Sequence, residues 1–198
     1  VTFYESSVEM DSVTFANNTS EDSLNIIRSN FLMNNVVFSH AFSDALHLDF
    51  LNCSIYNSKF QTSGNDAIDM FGSVVRGGNI QIHVVGDKAI SVGEHSSAEF
   101  REIDIRDSEI GVTSKDNSTL AVDQMTMSKV RLGFVAFQKK PEYGPGQIRA
   151  NNITMTDIEI PFLVEKGSDV EVEDTRIAPS GENLRDLLYG VKYGKASS

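Results

Sequence analysis

The fold is decided by a segment that recurs at a spacing of 22 residues: Ser43-Asp44-Ala45-Leu46-His47-Leu48, Asn65-Asp66-Ala67-Ile68-Asp69-Met70 and Asp87-Lys88-Ala89-Ile90-Ser91-Val92. Two mostly apolar columns extend the repeat in both directions. They are Leu24, Leu46, Ile68, Ile90, Val112, Phe134 and Phe162, and Ile26, Leu48, Met70, Val92, Ser114, Ala136 and Val164. Because the columns are two residues apart, the segment alternates with the period of a β-strand and both columns face inward. The residues between them, including His47 and Asp69, then face outward.

Each repeat unit contains further short strands and no helical pattern. A third inward column consists of Val8, Phe31, Cys53, Val75, Ala98, Leu120, Ile148 and Val170. A propeller blade needs roughly 40 residues, and the leucine-rich-repeat spacing is absent. The sequence therefore predicts an all-β, right-handed parallel β-helix, a solenoid of about eight coils of roughly 22 residues each.

A polar column supports the coiled arrangement. It consists of Ser12, Asn35, Asn57, Asn79, Glu102, Gln124, Asn152 and Asp174. Side chains of this kind, stacked about 4.8 Å apart at a tight turn, satisfy the backbone groups that the turn frees and each other's amides. We expect an asparagine ladder at one corner of every coil.

The pattern changes after Pro179. Leu184, Leu187, Leu188 and Val191 mark one helical face, and Ser180 is a suitable N-cap residue. A solenoid end exposes unpaired strands and needs a cover. We therefore expect a β-helix over residues 1–179 and a C-terminal capping helix with its tail over residues 180–198.

Composition limits the partners. The 198 residues include 17 basic and 28 acidic side chains, which gives a formal net charge of −11. This charge repels phosphate backbones, and no apolar run approaches the roughly 20 residues of a membrane helix. We expect no nucleic-acid binding and no membrane insertion.

Val1 falls inside a strand-like pattern, so we expect a piece of a longer protein. Its first coil then offers strand edges for end-to-end self-association.

The repeat, its inward columns and the polar ladder resemble the right-handed parallel β-helix proteins of the pectate-lyase-like superfamily. Residues 86–94, 114–118 and 136–146 resemble β-helix segments of large secreted or surface-attached bacterial proteins. The resemblance implies an extracellular or cell-surface location. It also implies carbohydrate as the ligand class.

Polygalacturonase-type members of this superfamily carry successive Asn-Thr-Asp, Gly-Asp-Asp and Gly-His coils. Here Lys88 replaces the second Asp of the middle motif and the Gly-His coil is absent, so the hydrolase set is incomplete.

Five outward residues lie close together in the predicted coils: Asp44, His47, Asp49, Asp66 and Asp69. His47 and Asp69 occupy one column on adjacent coils. A histidine beside a carboxylate has a raised pKa and can act as an acid or base, with Asp66 as the second carboxylate. His47, Asp66 and Asp69 are therefore the candidate catalytic residues. The alternative is an ordinary cross-strand pair on the surface.

The same column pattern suggests a cation site and a binding surface. Asp44 and Asp66 are like charges one coil apart, which a calcium ion or solvation can relieve. Asp44, Asp49, Glu94, Lys115, Lys139 and Tyr143 are the candidate binding residues. Residues 139–146 form a turn-rich insertion that overhangs this face, and such loops often carry function. The alternative is that the insertion and Phe137 cover the last coils.

Two functions remain open from the sequence. The first is a non-catalytic secreted or surface module that binds a polysaccharide or another domain of its parent chain. The second is a carbohydrate-active enzyme, a polysaccharide lyase, hydrolase or epimerase, that uses His47, Asp66 and Asp69. Fold alone does not decide between them.

Overall fold

A computed structural model describes residues 1–181 and 183–190. It is an all-β parallel solenoid of about eight coils with a short helix near the C-terminus, which confirms the predicted fold class. The elements in chain order are β1 (Thr2–Tyr4), β2 (Ser7–Asp11), β3 (Thr14–Asn18), β4 (Asp22–Ile27), β5 (Asn30–Asn34), β6 (Val37–Ala41), β7 (Asp44–Asp49), β8 (Asn52–Ser63), β9 (Ile68–Phe71), β10 (Val74–Gly93), β11 (Ser97–Lys115), β12 (Thr119–Phe137), β13 (Gln147–Val164), β14 (Asp169–Val172), β15 (Thr175–Arg176) and α1 (Leu184–Leu188).

The strands form three sheets along the solenoid, and within each of these sheets the strands of successive coils pair in parallel. The site sheet contains β1, β4, β7, β9 and the final residues of β10 to β13. The middle sheet contains β2, β5, the start of β8, the first residues of β10 to β13, and β14. The third sheet contains β3, β6 and the central parts of the long strands. The long strands contribute to more than one face because they continue around the corners of each coil.

The predicted register is confirmed in the site sheet. Leu46 pairs with Leu24 and Ile68, and the column continues through Ile90, Val112, Phe134 and Phe162. Its members from Leu24 to Phe134 are fully buried. In the third sheet the rings of Phe38 and Phe60 stack with centroids 4.8 Å apart. Stacking equivalent apolar residues from successive coils makes one continuous core.

Left-handed backbone conformations form the corners. All eight residues of the predicted polar column have φ between 52° and 61°. The Asn79 amide donates to Asn57 Oδ1 at 2.8 Å, as expected for a ladder. Other members instead bond to neighbouring side chains: the Asn35 amide donates to Asp11 Oδ1. The ladder thus lies at an exposed corner and is continuous only in part.

The C-terminal segment takes a different route from the one predicted. Ser180 and Gly181 pair with the last strand of the site sheet, where the Ser180 N–H donates to Val164 O and the Lys166 N–H to Gly181 O. Asn183, not Ser180, precedes the first helical residue, and its side chain caps no helical N–H. Ser180 cannot serve as the cap because its hydroxyl accepts the Val164 N–H. Val191 and the rest of the predicted tail lie outside the described residues.

Candidate functional site

The outer face of the site sheet changes character along the solenoid. Its two outward columns are Asn25, His47, Asp69, Ser91, Thr113, Val135 and Leu163, and Asp22, Asp44, Asp66, Lys88, Ile110, Leu132 and Ile160. The early coils therefore present charged side chains, while the late coils present apolar ones. We call these the charged half and the apolar half of the site sheet.

Helix α1 covers the apolar half from the side. Leu184 and Leu188 pack with Ile110, Leu132 and Val135 in a second apolar cluster, separate from the core of the solenoid. The Leu184 N–H donates to Glu165 Oε1 at 2.8 Å, which fixes the start of the helix beside the last coil. The sequence predicts a helix that caps the open end. It lies on the lateral face because that face carries an apolar stripe that matches the leucines.

A buried charge network lies where the two halves meet. Lys88 Nζ lies 3.4 Å from Asp66 Oδ1 and also contacts Asp87. One coil further, Lys115 Nζ donates to the Ser91 hydroxyl at 2.9 Å and lies 3.8 Å from Asp69 Oδ1. Lysine and aspartate are rarely buried unless they are paired. The two lysines pair with the carboxylates that the sequence analysis selected.

This network separates the pKa values of the two aspartates. Burial raises the pKa of Asp66 to about 7, although Lys88 opposes that effect. Burial acts in the same direction on Asp69, but Lys115, His47 and Ser91 outweigh it and hold the pKa of Asp69 below its usual value. Near neutral pH, Asp69 is ionised and Asp66 is near its midpoint.

His47 is enclosed by carboxylates. Its Nε2 lies 3.0 Å from Asp49 Oδ1, and its Nδ1 lies 3.7 Å from Asp69 Oδ2. Asp44 Oδ2 and Asp22 Oδ1 are each 3.9 Å from the same Nδ1. The Asp44 and Asp49 carboxylates raise the pKa of His47 to about 11 against the effect of burial. His47 is thus an imidazolium at neutral pH, which makes it a poor proton shuttle in this state of the protein.

A cavity of about 280 Å³ lies over the charge network. Asp66, Asp69, Lys88 and Lys115 lie on its solenoid side, and Leu188 and Tyr189 approach it from the helix. Lys139 also lines the cavity, and its Nζ lies 5.0 Å from the centroid of the Tyr189 ring. The structure therefore brings four of the candidate site residues, Asp66, Asp69, Lys115 and Lys139, to the lining of one partly open cavity. His47 does not line it.

Asp44 and Asp66 repeat one structural task. Asp44 Oδ1 accepts the Asp66 N–H at 2.9 Å, and Asp66 Oδ1 accepts the Lys88 N–H at 3.0 Å. Each carboxylate thus binds the backbone of the next coil, which offsets the repulsion that suggested a calcium ion between them. The metal-ligand grouping found in the described part of the chain is Asp22, Asp44 and His47, and it does not include Asp66.

The remaining candidate binding residues lie at the neighbouring corner. Lys140 Nζ lies 2.9 Å from Glu94 Oε1, which is buried, and Tyr143 packs edge-on against His95 with ring centroids 4.9 Å apart. Asp116 Oδ1 accepts the backbone N–H groups of Lys139 and Lys140. The insertion is therefore tied to the solenoid, and Glu94 and Tyr143 lie in its anchoring contacts. Phe137 is fully buried in the apolar cluster beneath α1. This position agrees with the alternative in which Phe137 covers the last coils.

Sequence reasoning missed three residues of this region as site members. Asp22 lies one repeat before Asp44, so the 22-residue spacing alone could have added it. In the sequence, Lys88 stands out only as the residue that replaces an aspartate of the Gly-Asp-Asp motif, although its place in the column after Asp44 and Asp66 indicates an ion pair. Tyr189 had no usable signal, because its place over the cavity depends on the return of the chain across the sheet.

A second depression, open and about 620 Å³ in volume, lies on the middle sheet. Tyr56 and Arg101 flank Gly78 on its floor, and a Cβ at Gly78 would lie 3.1 Å from Arg101 O and 3.9 Å from Tyr56 Cδ1. The pair Gly77-Gly78 inside a strand was its sequence signal, since glycine there marks a close approach. We call this depression the middle-sheet groove.

Comparison with protein-family models, with curated protein sequences and with solved structures gives no match for the chain. Among the residues that the structure describes, no helix has the length and apolar character that a membrane crossing requires. The proposed function below therefore rests on the fold and on the geometry of the site.

Proposed function

We propose that the chain is a non-catalytic secreted or cell-surface module that binds carbohydrate by holding one sugar residue in the cavity beneath Tyr189. One observation carries the proposal: a buried carboxylate oxygen and a buried ammonium group face the same small cavity with hydrogen-bonding capacity unused. Asp69 Oδ1 accepts no hydrogen bond, and the Lys115 ammonium has three N–H donors, of which one bonds to Ser91.

A hydroxyl group fits this pair because it donates to a carboxylate and accepts from an ammonium. Vicinal hydroxyls of a sugar supply several such groups in a fixed geometry, and Tyr189 offers an aromatic face of the kind that sugar rings pack against. The volume of about 280 Å³ is below the roughly 300–1,000 Å³ typical of pockets for drug-sized ligands, which favours one small unit over a long segment.

The same contacts argue for binding over catalysis. Asp66 Oδ1 accepts from the backbone and the ammonium of Lys88, and Asp44 performs the same backbone task one coil earlier. The repeated arrangement assigns Asp66 a structural role in the solenoid. The raised pKa of His47 removes it from acid–base work near neutral pH. As partners we propose a polysaccharide or another domain of the parent chain.

One observation favours a carbohydrate-active enzyme as the second candidate. Asp66 has a pKa raised to about 7 beside the ionised Asp69, and carboxylates with separated pKa values are the arrangement that supplies a proton donor and an anion in one site. In this case Asp66 would protonate or deprotonate the substrate and Asp69 would stabilise positive charge. A hydrolase would use the protonated form of Asp66 as its acid, and a lyase or epimerase would use the ionised form as its base.

The test is a glycan array, followed by calorimetric titration of the glycans that bind. The wild type is compared with Tyr189→Ala and Lys115→Met, and we expect each variant to lose at least tenfold in affinity. Lys129→Met is the matched control, because Lys129 is an exposed lysine at a corner of the solenoid with only a 3.9 Å contact to Asp107. Tyr189 is about half exposed, so its variant should fold normally.

Each other outcome is informative. Unchanged affinity in Tyr189→Ala and Lys115→Met would contradict the proposed cavity. Loss of binding in Tyr56→Ala instead would move the site to the middle-sheet groove. Release of reducing ends or unsaturated products by the wild type, abolished in Asp66→Asn, would contradict the non-catalytic proposal and favour the enzyme.

A further inference from the structure

The strongest unassigned feature is the arrangement around Nδ1 of His47. Three carboxylate oxygens from three consecutive coils converge on this nitrogen: Asp22 Oδ1 and Asp44 Oδ2 at 3.9 Å and Asp69 Oδ2 at 3.7 Å. These separations are too long for hydrogen bonds. The Asp22 and Asp44 distances match the spacing between ligands that share one ion, because two ligands each about 2.1 Å from a metal lie up to about 4.2 Å apart. Asp69 approaches His47 from the other side and lies outside the grouping of mutually close ligand atoms.

We propose that Asp22, Asp44 and His47 form a binding site for one divalent transition-metal ion. The inference concerns a site outside the sugar cavity and does not depend on the proposed function. An ion there would bridge two adjacent coils of the solenoid. Asp22, Asp44 and His47 already place one possible ligand atom each within 4.8 Å of one another.

The hydrogen bonds around the cluster orient its members toward a common point. Each carboxylate binds another group through one oxygen and leaves the other for His47. Asp22 Oδ2 accepts from the Asn25 amide at 3.2 Å, and Asp44 Oδ1 accepts from the Asn65 amide at 2.7 Å. This division leaves Asp22 Oδ1 and Asp44 Oδ2 directed at one nitrogen.

The second ring nitrogen of His47 supports the same conclusion. Nε2 lies 3.0 Å from Asp49 Oδ1. Metal-binding histidines almost always donate the second ring N–H to a carboxylate, a carbonyl or water, which fixes the tautomer and leaves the other nitrogen for the metal. Asp49 thus acts as a positioning residue that presents Nδ1 to the ion.

A further observation, independent of the acidic cluster, points to a ligand. Asn25 precedes His47 in the outward column, and its Oδ1 is buried without a hydrogen-bond partner. A buried amide oxygen that accepts nothing is unfavourable unless a ligand or solvent compensates it. An ion or its bound water satisfies this oxygen.

Charge and ligand chemistry select the ion class. With the ion bound at Nδ1, His47 is neutral, and the two ligand carboxylates of Asp22 and Asp44 balance the charge of a divalent cation. Imidazole nitrogen suits zinc, copper, iron and nickel, and carboxylates suit manganese, whereas calcium takes oxygen ligands. The mixed set therefore favours Zn²⁺ or Mn²⁺ over Ca²⁺.

The test is calorimetric titration of chelator-treated protein with Zn²⁺, Mn²⁺ and Ca²⁺ at mildly alkaline pH, where the ion competes less with a proton for Nδ1. We expect one ion per chain, with Zn²⁺ or Mn²⁺ bound at least tenfold more tightly than Ca²⁺. His47→Gln and Asp22→Asn should each weaken binding at least tenfold. Added Co²⁺ should give visible ligand-field bands that His47→Gln abolishes.

His83→Gln is the matched control. His83 Nε2 also lies 3.2 Å from a carboxylate, Asp104 Oδ2, but His83 belongs to no ligand cluster found in the described part of the chain. Its variant should keep full affinity. Asp22→Asn keeps the side-chain volume at a partly exposed position, so it decides the question if His47→Gln folds poorly. Absence of a one-to-one event, equal affinity in Asp22→Asn, or equal losses in His83→Gln would overturn the proposal.

Discussion

The two halves of the site sheet share one backbone register and differ in what covers them. In the charged half, His47 and Asp69 remain partly exposed and interact with side chains of adjacent coils. In the apolar half, Val135 lies in the same column but is fully buried beneath α1. The column position alone therefore sets only the direction of a side chain. Burial and function depend on the segment that returns across the face.

The boundary between the halves is where the candidate site lies. The helix ends over Lys88 and Lys115, so these two lysines are buried without being inside the solenoid. A regular solenoid face is flat and open to solvent, and it cannot enclose a ligand. The short helix provides one wall, and the charged coils provide the other. The cavity thus results from combining a repeat with a non-repeating segment.

The largest expected effect comes from placing a charge in the apolar half. Leu132→Asp puts a carboxylate on the fully buried position beneath α1, with none of the lysines that pair the aspartates of the charged half. Lost apolar burial and an unpaired buried charge should together lower the free energy of unfolding by about 5 kcal/mol. Urea denaturation measures this loss.

Leu132→Met is the control for that substitution. Because it roughly conserves volume and polarity, it should cost less than about 1.5 kcal/mol. A loss below about 2 kcal/mol for Leu132→Asp would mean that α1 leaves this face readily, and the distinction between the two halves would fail.

The next effect concerns the helix itself. Leu184 and Leu188 are nearly fully buried against the sheet, so Leu184→Ala or Leu188→Ala should cost about 2–3 kcal/mol each. Arg185→Ala, on the exposed side of the same helix, should change stability by less than about 0.5 kcal/mol. Equal effects of the leucine and arginine variants in urea denaturation would contradict the packing of α1 on the sheet.

Much of the solenoid could be predicted from the sequence because stacking imposes a fixed spacing. The pairing of His47 with Asp69 follows from the 22-residue repeat and the two-residue period of a strand. The corner at Asn57 and Asn79 was predictable because asparagine tolerates positive φ. The corners at Phe50, Val84 and Lys129 have similar φ values but carry residues that give no such signal. There the stacked neighbours, not local preference, set the conformation.

The site was predictable only in part for a different reason. Asp66, Asp69 and Lys115 lie in columns of the repeat, so their proximity follows from the 22-residue spacing. The closure of the cavity depends on Tyr189, which contacts coils far away in sequence. The outward apolar residues Ile110 and Leu132 were the available clue, because an outward apolar stripe requires a cover. That clue indicates where a cover lies but does not say which segment provides it.

The pH dependence of stability tests the boundary of the charged half. The pKa of Asp66 is raised from 3.8 to about 7 in the folded chain. Between these values the folded state binds more protons than the unfolded state, so ionisation of Asp66 lowers stability as pH rises. The contribution of Asp66 to the change in the free energy of unfolding is at most about 1.4 kcal/mol per pH unit.

Asp66→Asn removes this titration. In urea denaturation with a chelator present, the stability of Asp66→Asn relative to the wild type should therefore increase from about pH 4 to about pH 7. It should then stay constant above pH 7. A constant difference across the whole range would show that Lys88 holds Asp66 ionised throughout, and would remove the observation that favours an enzyme.

The smallest effect is a gain in stability at the transition between the halves. Thr113 follows Ser91 and precedes Val135 in the outward column, and it is fully buried with a hydroxyl that has no hydrogen-bond partner. Valine has nearly the same shape and already fills the next position. Removing an unsatisfied buried hydroxyl should therefore make Thr113→Val more stable than the wild type by about 1 kcal/mol.

The adjacent Ser114 supplies the contrast that makes this small change interpretable. It is equally buried, but its hydroxyl donates to Ser118 O at 2.9 Å and accepts the Gln147 N–H at 3.2 Å. Ser114→Ala should therefore lower stability by about 1 kcal/mol, since it removes both hydrogen bonds of the hydroxyl, although the Gln147 N–H and Ser118 O keep their bond to each other at 3.0 Å. If Thr113→Val also destabilises the chain, the Thr113 hydroxyl has a partner such as bound water. The charged half of the site sheet would then extend one coil further beneath α1 than the side-chain contacts indicate.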